Sequence, residues 1–123
     1  MVRRITVVSR PGFEDSRGEG IRKDALDLGV NSITDVRVSE VFLFEGENIP
    51  DTDILRIAEE LLTDHVTQEY IVDIEPREEG RVIEVAYHHG VMDPVEESIS
   101  KSLADMGITS ITAAKTMRRY IIS

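Results

Sequence analysis

The strongest constraint on how this chain folds is an internal repeat. Residues 5–37 align without gaps onto residues 83–115, with twelve identities in 33 positions. Besides six polar pairs, the identities include two glycine pairs and four apolar pairs: Gly12/Gly90, Gly29/Gly107, Ile5/Ile83, Val7/Val85, Ile21/Ile99 and Ile33/Ile111. Because backbone-shaping and core-forming positions repeat together, we infer that one supersecondary unit is used twice.

Each copy has the pattern of a strand, a helix and a second β-rich run. Residues 2–9 and 81–87 are rich in β-branched side chains and predict strands. Each helix that follows has a one-sided apolar stripe, and Gly29 and Gly107 stand where a left-handed glycine ends a helix. The predicted helix starts are Asp15 or Ser16 with Glu19 in a capping box, and Asp93 with Pro94 and Glu96.

The later run in each copy is long for one strand. Residues 33–44 and 111–122 are β-rich throughout, and a bend or tight turn at Ser39-Glu40 or Met117-Arg118 would divide each into two strands. Propensity does not decide between one strand and two.

A further segment occurs only once. After the loop 45–50, Asp51 or Thr52 is predicted to cap a third helix, and a strand at 66–73 follows. The buried face of that helix is predicted from apolar spacing as Ile54, Ile57, Ala58, Leu61 and Leu62.

These elements predict an α+β fold. A ferredoxin-like βαββαβ unit over residues 1–75, with an antiparallel sheet and helices on one face, is followed by a linker at 76–80. A partial βαββ copy over 81–123 packs with the first unit or with another chain. An incomplete sheet has an unpaired edge, so we expect a partner chain or a further domain to cover it, and a dimer or tetramer is one way to do so.

Composition excludes several function classes. The net charge of -10 repels a phosphate backbone, so nucleic acid is a poor partner. No apolar stretch is long enough to span a membrane, and the charged N-terminus is not a signal peptide. The chain has no cysteine, which removes disulfides and thiolate nucleophiles. A cytoplasmic location is therefore the default expectation.

Three short motifs in a fixed order resemble the PurS family. They are the Asp15-Ser16-Arg17-Gly18 turn, the Asp35-Val36-Arg37-Val38 strand and the helix exit Leu61-Leu62-Thr63-Asp64-His65-Val66-Thr67-Gln68-Glu69-Tyr70. The family's corresponding segments look like D-P-Q-G, D-V-R-I/V and L-L-A-N-P-V-I-E-D-Y. In the second copy, Val91-Met92-Asp93-Pro94 matches a V-L-D-P form. The resemblance covers residues 3–74 as a whole unit and 82–122 as a partial one.

The resemblance implies a role without catalysis by this chain. PurS is the small subunit of phosphoribosylformylglycinamidine synthase, and a related segment begins some fused synthase chains. The family bridges a glutaminase and a synthase component, and the synthase component uses ATP and magnesium together with the released ammonia. We therefore expect no catalytic residue, no bound cofactor and no metal in this chain, with the glutaminase and synthase as partners. The half-copy departs from a free-standing PurS subunit and leaves the assembly open.

A second functional class stays open at the turns after the first strand of each copy. An ACT-like module would bind an amino acid at Arg10, Gly12 and Gly90, whereas simple turns need glycine only for positive φ. His88 and His89 with Glu84 and Asp93 could be imagined as metal ligands. Adjacent strand side chains point to opposite faces, however, so a solvent-exposed turn is the better interpretation.

The candidate interface residues lie on the predicted strands. Arg37 and Lys115 are repeat equivalents, and Asp35 with Arg37 forms either a local ion pair or a subunit contact. Lys115, Arg118 and Arg119 are interpreted as a basic C-terminal patch or a solvated strand face. The candidates are Asp35, Arg37, Tyr70, Lys115, Arg119 and Tyr120, and the two tyrosines are expected to pack in the core or an interface.

Overall fold

A computed structural model describes residues 1–10, 16–74, 80–86 and 94–123. The helix Asp51–Arg56 continues without interruption as π-helical turns over Ile57–Leu62. The elements in chain order are β1 (Val2–Ser9), α1 (Ser16–Asp27), β2 (Val36–Glu45), α2 (Asp51–Arg56), β3 (Gln68–Val72), β4 (Arg81–Ala86), α3 (Pro94–Asp105) and β5 (Ala113–Ile122).

All five described strands form one antiparallel sheet in the order β3-β1-β2-β5-β4. The central strands β2 and β5 pair along their whole length, from Val36 opposite Ile122 to Glu45 opposite Ala113. This pairing joins the two copies. The second copy therefore packs on the first within one chain.

The sheet register reproduces the sequence repeat. Ile5 lies opposite Phe42 in the first copy, and its equivalent Ile83 lies opposite Tyr120 in the second. The repeat makes Glu40 and Arg118 equivalent, and these two residues lie opposite each other at the β2–β5 pair. A local two-fold axis normal to the sheet therefore passes through this pair and exchanges β1, α1 and β2 with β4, α3 and β5.

The predicted fold class is confirmed, and the open question about the long runs is answered. Residues 36–45 and 113–122 each form one strand, because Ser39 and Arg119 lie inside an unbroken ladder. The first unit thus has three strands where a βαββαβ frame has four. Strand β3, which occurs only once in the chain, spans Gln68–Val72 and is shorter than the predicted strand at 66–73.

The main core lies between one face of the sheet and the helices. Ile5 and Phe42 from the sheet pack with Ile57 and Ala58 from the α2 segment and with Leu103 from α3. The buried face predicted for the third helix is confirmed, with three residues fully buried and two half-buried against the core: Ile54, Ile57, Ala58, Leu61 and Leu62. None of the described helices is long and apolar enough to cross a membrane.

The two repeated helices end in the same hydrogen-bonded motif. Gly29 and Gly107 have φ of 85° and 75°, which confirms the predicted left-handed glycines. The amide after each glycine donates to the carbonyl five residues back, Val30 to Ala25 and Ile108 to Leu103. This is the Schellman arrangement, and it satisfies carbonyls that the helix leaves open.

The predicted cap of the third helix is wrong. The N-cap residue is Pro50, with φ -63° and ψ 148°, and no side chain caps the helix. The carboxylate of Asp51 instead forms an ion pair with the Arg3 guanidinium, at 2.9 Å. Arg3 also contacts Asp73 at 2.9 Å, so one arginine of β1 ties the start of α2 to the end of β3. The capping residues Asp15 and Asp93 predicted for the other helices lie outside the described residues.

Replacing Gly107 by alanine tests the helix-end motif. A Cβ at Gly107 would meet no atom within 4 Å, so the cost arises from its positive φ alone. We expect Gly107→Ala to lower the free energy of unfolding by about 1 kcal/mol in chemical denaturation. Gly20 inside α1 has the same open space without the positive φ. Gly20→Ala should therefore raise stability by about 0.5–1 kcal/mol, and equal effects of both changes would contradict the assignment.

Candidate interaction surfaces

A groove opens on the helix side of the sheet beside the local two-fold axis. It has a volume of about 290 Å³ and is lined by Arg17, Gly20, Ile21, Asp24, Val38, Arg118 and Tyr120. Arg17 of α1 binds the carboxylate of Glu40 at 2.7 Å. Arg118 is exposed, and no ion pair found within the described parts of the chain includes it. The groove therefore presents two exposed arginines, of which Arg17 is paired with Glu40, and the exposed carboxylate of Asp24 next to apolar and phenolic side chains.

The opposite face of the sheet contains a charge cluster that joins the two copies of the repeat. Arg4 on β1 binds Glu84 on β4 at 2.7 Å, and Arg119 on β5 lies 3.8 Å from the same carboxylate. Strands β1 and β4 are separated by two intervening strands, which in a flat sheet is about 14 Å. The ion pair therefore shows that the sheet curls toward this face, and its centre, including Thr6 and Val41, is buried.

The structure does not form the basic C-terminal patch predicted from Lys115, Arg118 and Arg119. Alternation along β5 places Lys115 and Arg119 on the curled face and Arg118 on the helix face. Arg119 is only 3% exposed and lies beside Glu84. Arg119 therefore has a structural role within this chain, whereas Lys115 and Arg118 are exposed on opposite faces of the sheet.

The remaining interface candidates lie at separate places. Asp35 and Arg37 form the local ion pair that was one of the two predicted alternatives, with a distance of 3.3 Å and both side chains half exposed. Tyr70 packs against the main core and donates its hydroxyl proton to Glu59 at 2.8 Å. Tyr120 is half-buried and lines the groove.

The ligand turns of the ACT-like alternative are only partly described. Arg10 donates from its side chain to the carbonyl of Gln68 at 2.9 Å, and its amide donates to Thr67. Both bonds tie the end of β1 to the start of β3. Gly12 and Gly90 lie outside the described residues, so the predicted ligand site stays a prediction.

The structure tests the metal-binding alternative only over the described residues. Among residues 1–10, 16–74, 80–86 and 94–123, no three histidine, aspartate or glutamate side chains gather as a metal ion would require. His88, His89 and Asp93 lie outside those ranges.

Sequence reasoning missed the groove and the charge cluster. Glu40 and Arg118 have opposite charges at equivalent repeat positions, and a two-fold pairing of the copies would have placed them opposite each other. Extending the internal alignment by three residues would have shown that signal. The Arg4–Glu84 pair joins residues 80 positions apart and has no local pattern that predicts it.

Fold and surfaces together define an α+β, ferredoxin-like chain in which a strand–helix–strand unit occurs twice around a local two-fold axis. A family model named PurS, described as phosphoribosylformylglycinamidine (FGAM) synthase, matches residues 2–76. The chain belongs to the PurS family. The match ends before β4, so the second copy is known as a repeat from the internal alignment of the sequence and from the register of this sheet.

Two solved structures share the fold. PurS from Methanocaldococcus jannaschii, one of the subunits of formylglycinamide ribonucleotide amidotransferase in the purine biosynthetic pathway, aligns with a TM-score of 0.52 and 20% identity. The alignment covers 63% of this chain and 100% of that chain. PurS from B. subtilis aligns with a TM-score of 0.50 and 20% identity, over 62% of this chain and 100% of that chain. No curated protein matches the sequence.

Removing the shared carboxylate tests the role of the curled face. Glu84→Ala would leave the buried Arg119 guanidinium without the carboxylate beside it, so we expect a loss of about 2–3 kcal/mol in the free energy of unfolding. Glu69 on β3 is an exposed strand carboxylate and provides the matched control. Glu69→Ala should change stability by less than about 0.5 kcal/mol, and equal losses would rule out a structural cluster.

The Tyr70 hydrogen bond predicts a pH dependence at the alkaline end. Its bond to Glu59, followed by burial and the Glu59 charge, raises the pKa of the Tyr70 phenol. The neutral phenol is thus favoured in the folded state, so its stabilisation is complete below the usual tyrosine range and is lost as pH rises through the raised pKa. Tyr70→Phe should cost about 1 kcal/mol or less at neutral pH. The stability difference between the two proteins should narrow above about pH 10; a constant difference would contradict the assignment.

Proposed function

We propose that this chain is an assembly component of phosphoribosylformylglycinamidine synthase, bridging a glutaminase and an ATP-dependent synthase component. The observation that carries the proposal is the PurS match over residues 2–76, which includes β1, α1, β2, α2 and β3 as one continuous unit. Both PurS structures align with this chain along their whole length. One of them is described as a subunit of an amidotransferase in purine biosynthesis.

The chemistry of the described residues supports a bridging role. The arginines of β1 are engaged in ties between elements, Arg3 to Asp51 and Asp73 and Arg4 to Glu84. The sequence contains no cysteine, so a cysteine-dependent hydrolysis of glutamine belongs to the glutaminase partner. In this proposal the partner synthase uses ATP and magnesium, the bridge aligns the two components for ammonia transfer, and the complex is cytoplasmic.

The groove beside the two-fold axis is the surface we assign to a partner. Arg118 offers an exposed cation on a chain of net charge -10, and it lines the groove together with the apolar and aromatic side chains of Val38 and Tyr120. A partner segment with a carboxylate next to an apolar side chain would fit this combination, because the ion pair orients the segment and the apolar contact supplies affinity.

Reconstitution with purified components tests the function. We expect glutamine-dependent formation of the amidine product to fall by at least about tenfold when this chain is omitted, since ammonia is then released to solvent. Activity with added ammonium chloride should change far less, because free ammonia bypasses the glutaminase. Full glutamine-dependent activity without the chain would overturn the proposal.

Two charge reversals on β5 locate the contact. Arg118 and Lys115 are both exposed cations on one strand, but they point to opposite faces of the sheet. Arg118→Glu should weaken co-sedimentation with the partners and lower glutamine-dependent activity, whereas Lys115→Glu should leave both close to wild type. If Lys115→Glu weakened binding and activity more than Arg118→Glu, the contact would lie on the curled face instead.

A further inference from the structure

The groove beside the two-fold axis has its long axis along α1. Four of its lining residues follow one side of this helix, at positions i, i+3, i+4 and i+7: Arg17, Gly20, Ile21 and Asp24. Seven residues of helix rise about 10 Å. Arg17 is held at one end of the groove by its 2.7 Å ion pair with Glu40 on β2, so Asp24 lies toward the other end.

The floor of the groove has the same polarity as its helical wall. Glu40 lies opposite Arg118 in the β2–β5 ladder, and Val38 lies opposite Tyr120 two residues further along. Arg118 therefore shares the end of the groove where Glu40 meets the α1 arginine, and the apolar and aromatic pair follows it. The groove is thus dipolar, with an exposed cation at one end and the exposed carboxylate of Asp24 toward the other.

The two charges on this side of α1 are not part of the repeat. The alignment of the two copies makes Val95 and Ser102 of α3 the equivalents of Arg17 and Asp24, and both are neutral. This side of α3 packs on the main core, where Ile99 is only 6% exposed. The repeated fold therefore does not require the charges, which occur only where this side of the helix is open.

Gly20 leaves empty space beside the helix between the charged ends. A Cβ at Gly20 would meet no atom within 4 Å, and its φ lies outside the left-handed region. A glycine inside a helix weakens the helix relative to alanine, and neither a turn nor a crowded neighbour requires one here. What a glycine does permit is the close approach of another backbone. Gly20 therefore marks the place on α1 where a bound segment can pass closest.

We propose that the groove binds an extended, dipolar segment of one partner component, whose backbone passes Gly20. On the basis of the proposed function, that component is the glutaminase or the synthase. A carboxylate of the segment meets Arg118, and an ammonium or guanidinium group about three residues away meets Asp24. An apolar side chain between them contacts Val38 and Tyr120. The opposite direction of the segment would bring like charges together at both ends.

The size of the groove favours an extended segment over a helix. A helix with its side chains is about 10–12 Å wide, so half of a helix lying along 10 Å of the groove would fill roughly 400–550 Å³. The groove has a volume of about 290 Å³. Three residues of extended chain span about 10 Å, which matches the rise of α1 between the charged ends.

Charge reversal on α1 tests the anionic end of the groove. The glutaminase and the synthase component are titrated separately against this chain by isothermal titration calorimetry. Asp24→Lys should raise the Kd for the component that binds the wild type by about tenfold. Asp27→Lys is the matched control, because Asp27 is exposed on the same helix, does not line the groove and gives the same change in net charge. It should change the Kd by less than about twofold.

Filling the space at Gly20 tests the backbone contact. Gly20→Ala puts a methyl group where the segment passes, so the Kd should rise by about fivefold or more although the protein itself becomes more stable. Weaker binding by a more stable protein excludes damage to the fold as the cause. Ser98→Ala is the matched control, because Ser98 is the equivalent position of α3, is exposed and does not line the groove. It should leave the Kd unchanged.

The contrary results separate the segment from the proposed function. If the wild type binds neither component, the proposed function is wrong and the segment is wrong with it. If the wild type binds but Asp24→Lys and Asp27→Lys weaken binding equally, or Gly20→Ala binds like the wild type, the segment alone is wrong. If Asp24→Lys or Gly20→Ala instead changes the sedimentation mass of this chain by itself, a second copy occupies the groove and the partner segment is excluded.

Discussion

The ladder between β2 and β5 is the interaction on which the rest of the structure depends. It runs through ten residue pairs and joins the two copies into one sheet. Because it is antiparallel and centred on Glu40 and Arg118, it places both copies of the strand–helix–strand unit on the same side. The main core, the groove and the curled face all follow from that placement.

The local two-fold relates β1 to β4, but the α2 segment and β3 occur only once. This difference explains why the helix face is closed over β1 and open over β4. The helix face is a closed core over β1, where the α2 segment and β3 complete the layer. Over β4 the same layer stays open. The curled face is fastened by charge, since Arg4 and Arg119 converge on Glu84 from different strands. The charged side chains described here thus form structural ties between elements, and uncovered apolar surface lies at the β4 edge of the sheet.

Features set by local sequence could be predicted. The repeat, β1, the left-handed glycines Gly29 and Gly107 and the buried face around Ile57 all depend on neighbours within a few residues, so spacing and residue type were sufficient. The bounds of β1 agree with the prediction residue for residue.

Features set by tertiary contacts could not be predicted. A strand of ten residues is stable only because β2 has a partner on both sides, which propensity does not report. Arg119 was predicted to face a partner and is instead buried, since the curl of the sheet is invisible in sequence. The cap at Pro50 was missed because Arg3, which is distant in sequence, binds Asp51 instead.

Isotope-filtered NMR on a mixture of labelled and unlabelled chains tests the central account most directly. Cross-strand contacts between β2 and β5, centred on Glu40 and Arg118, should arise within one chain. If the β2–β5 contacts appeared only between labelled and unlabelled chains, the single-chain two-fold sheet would be wrong.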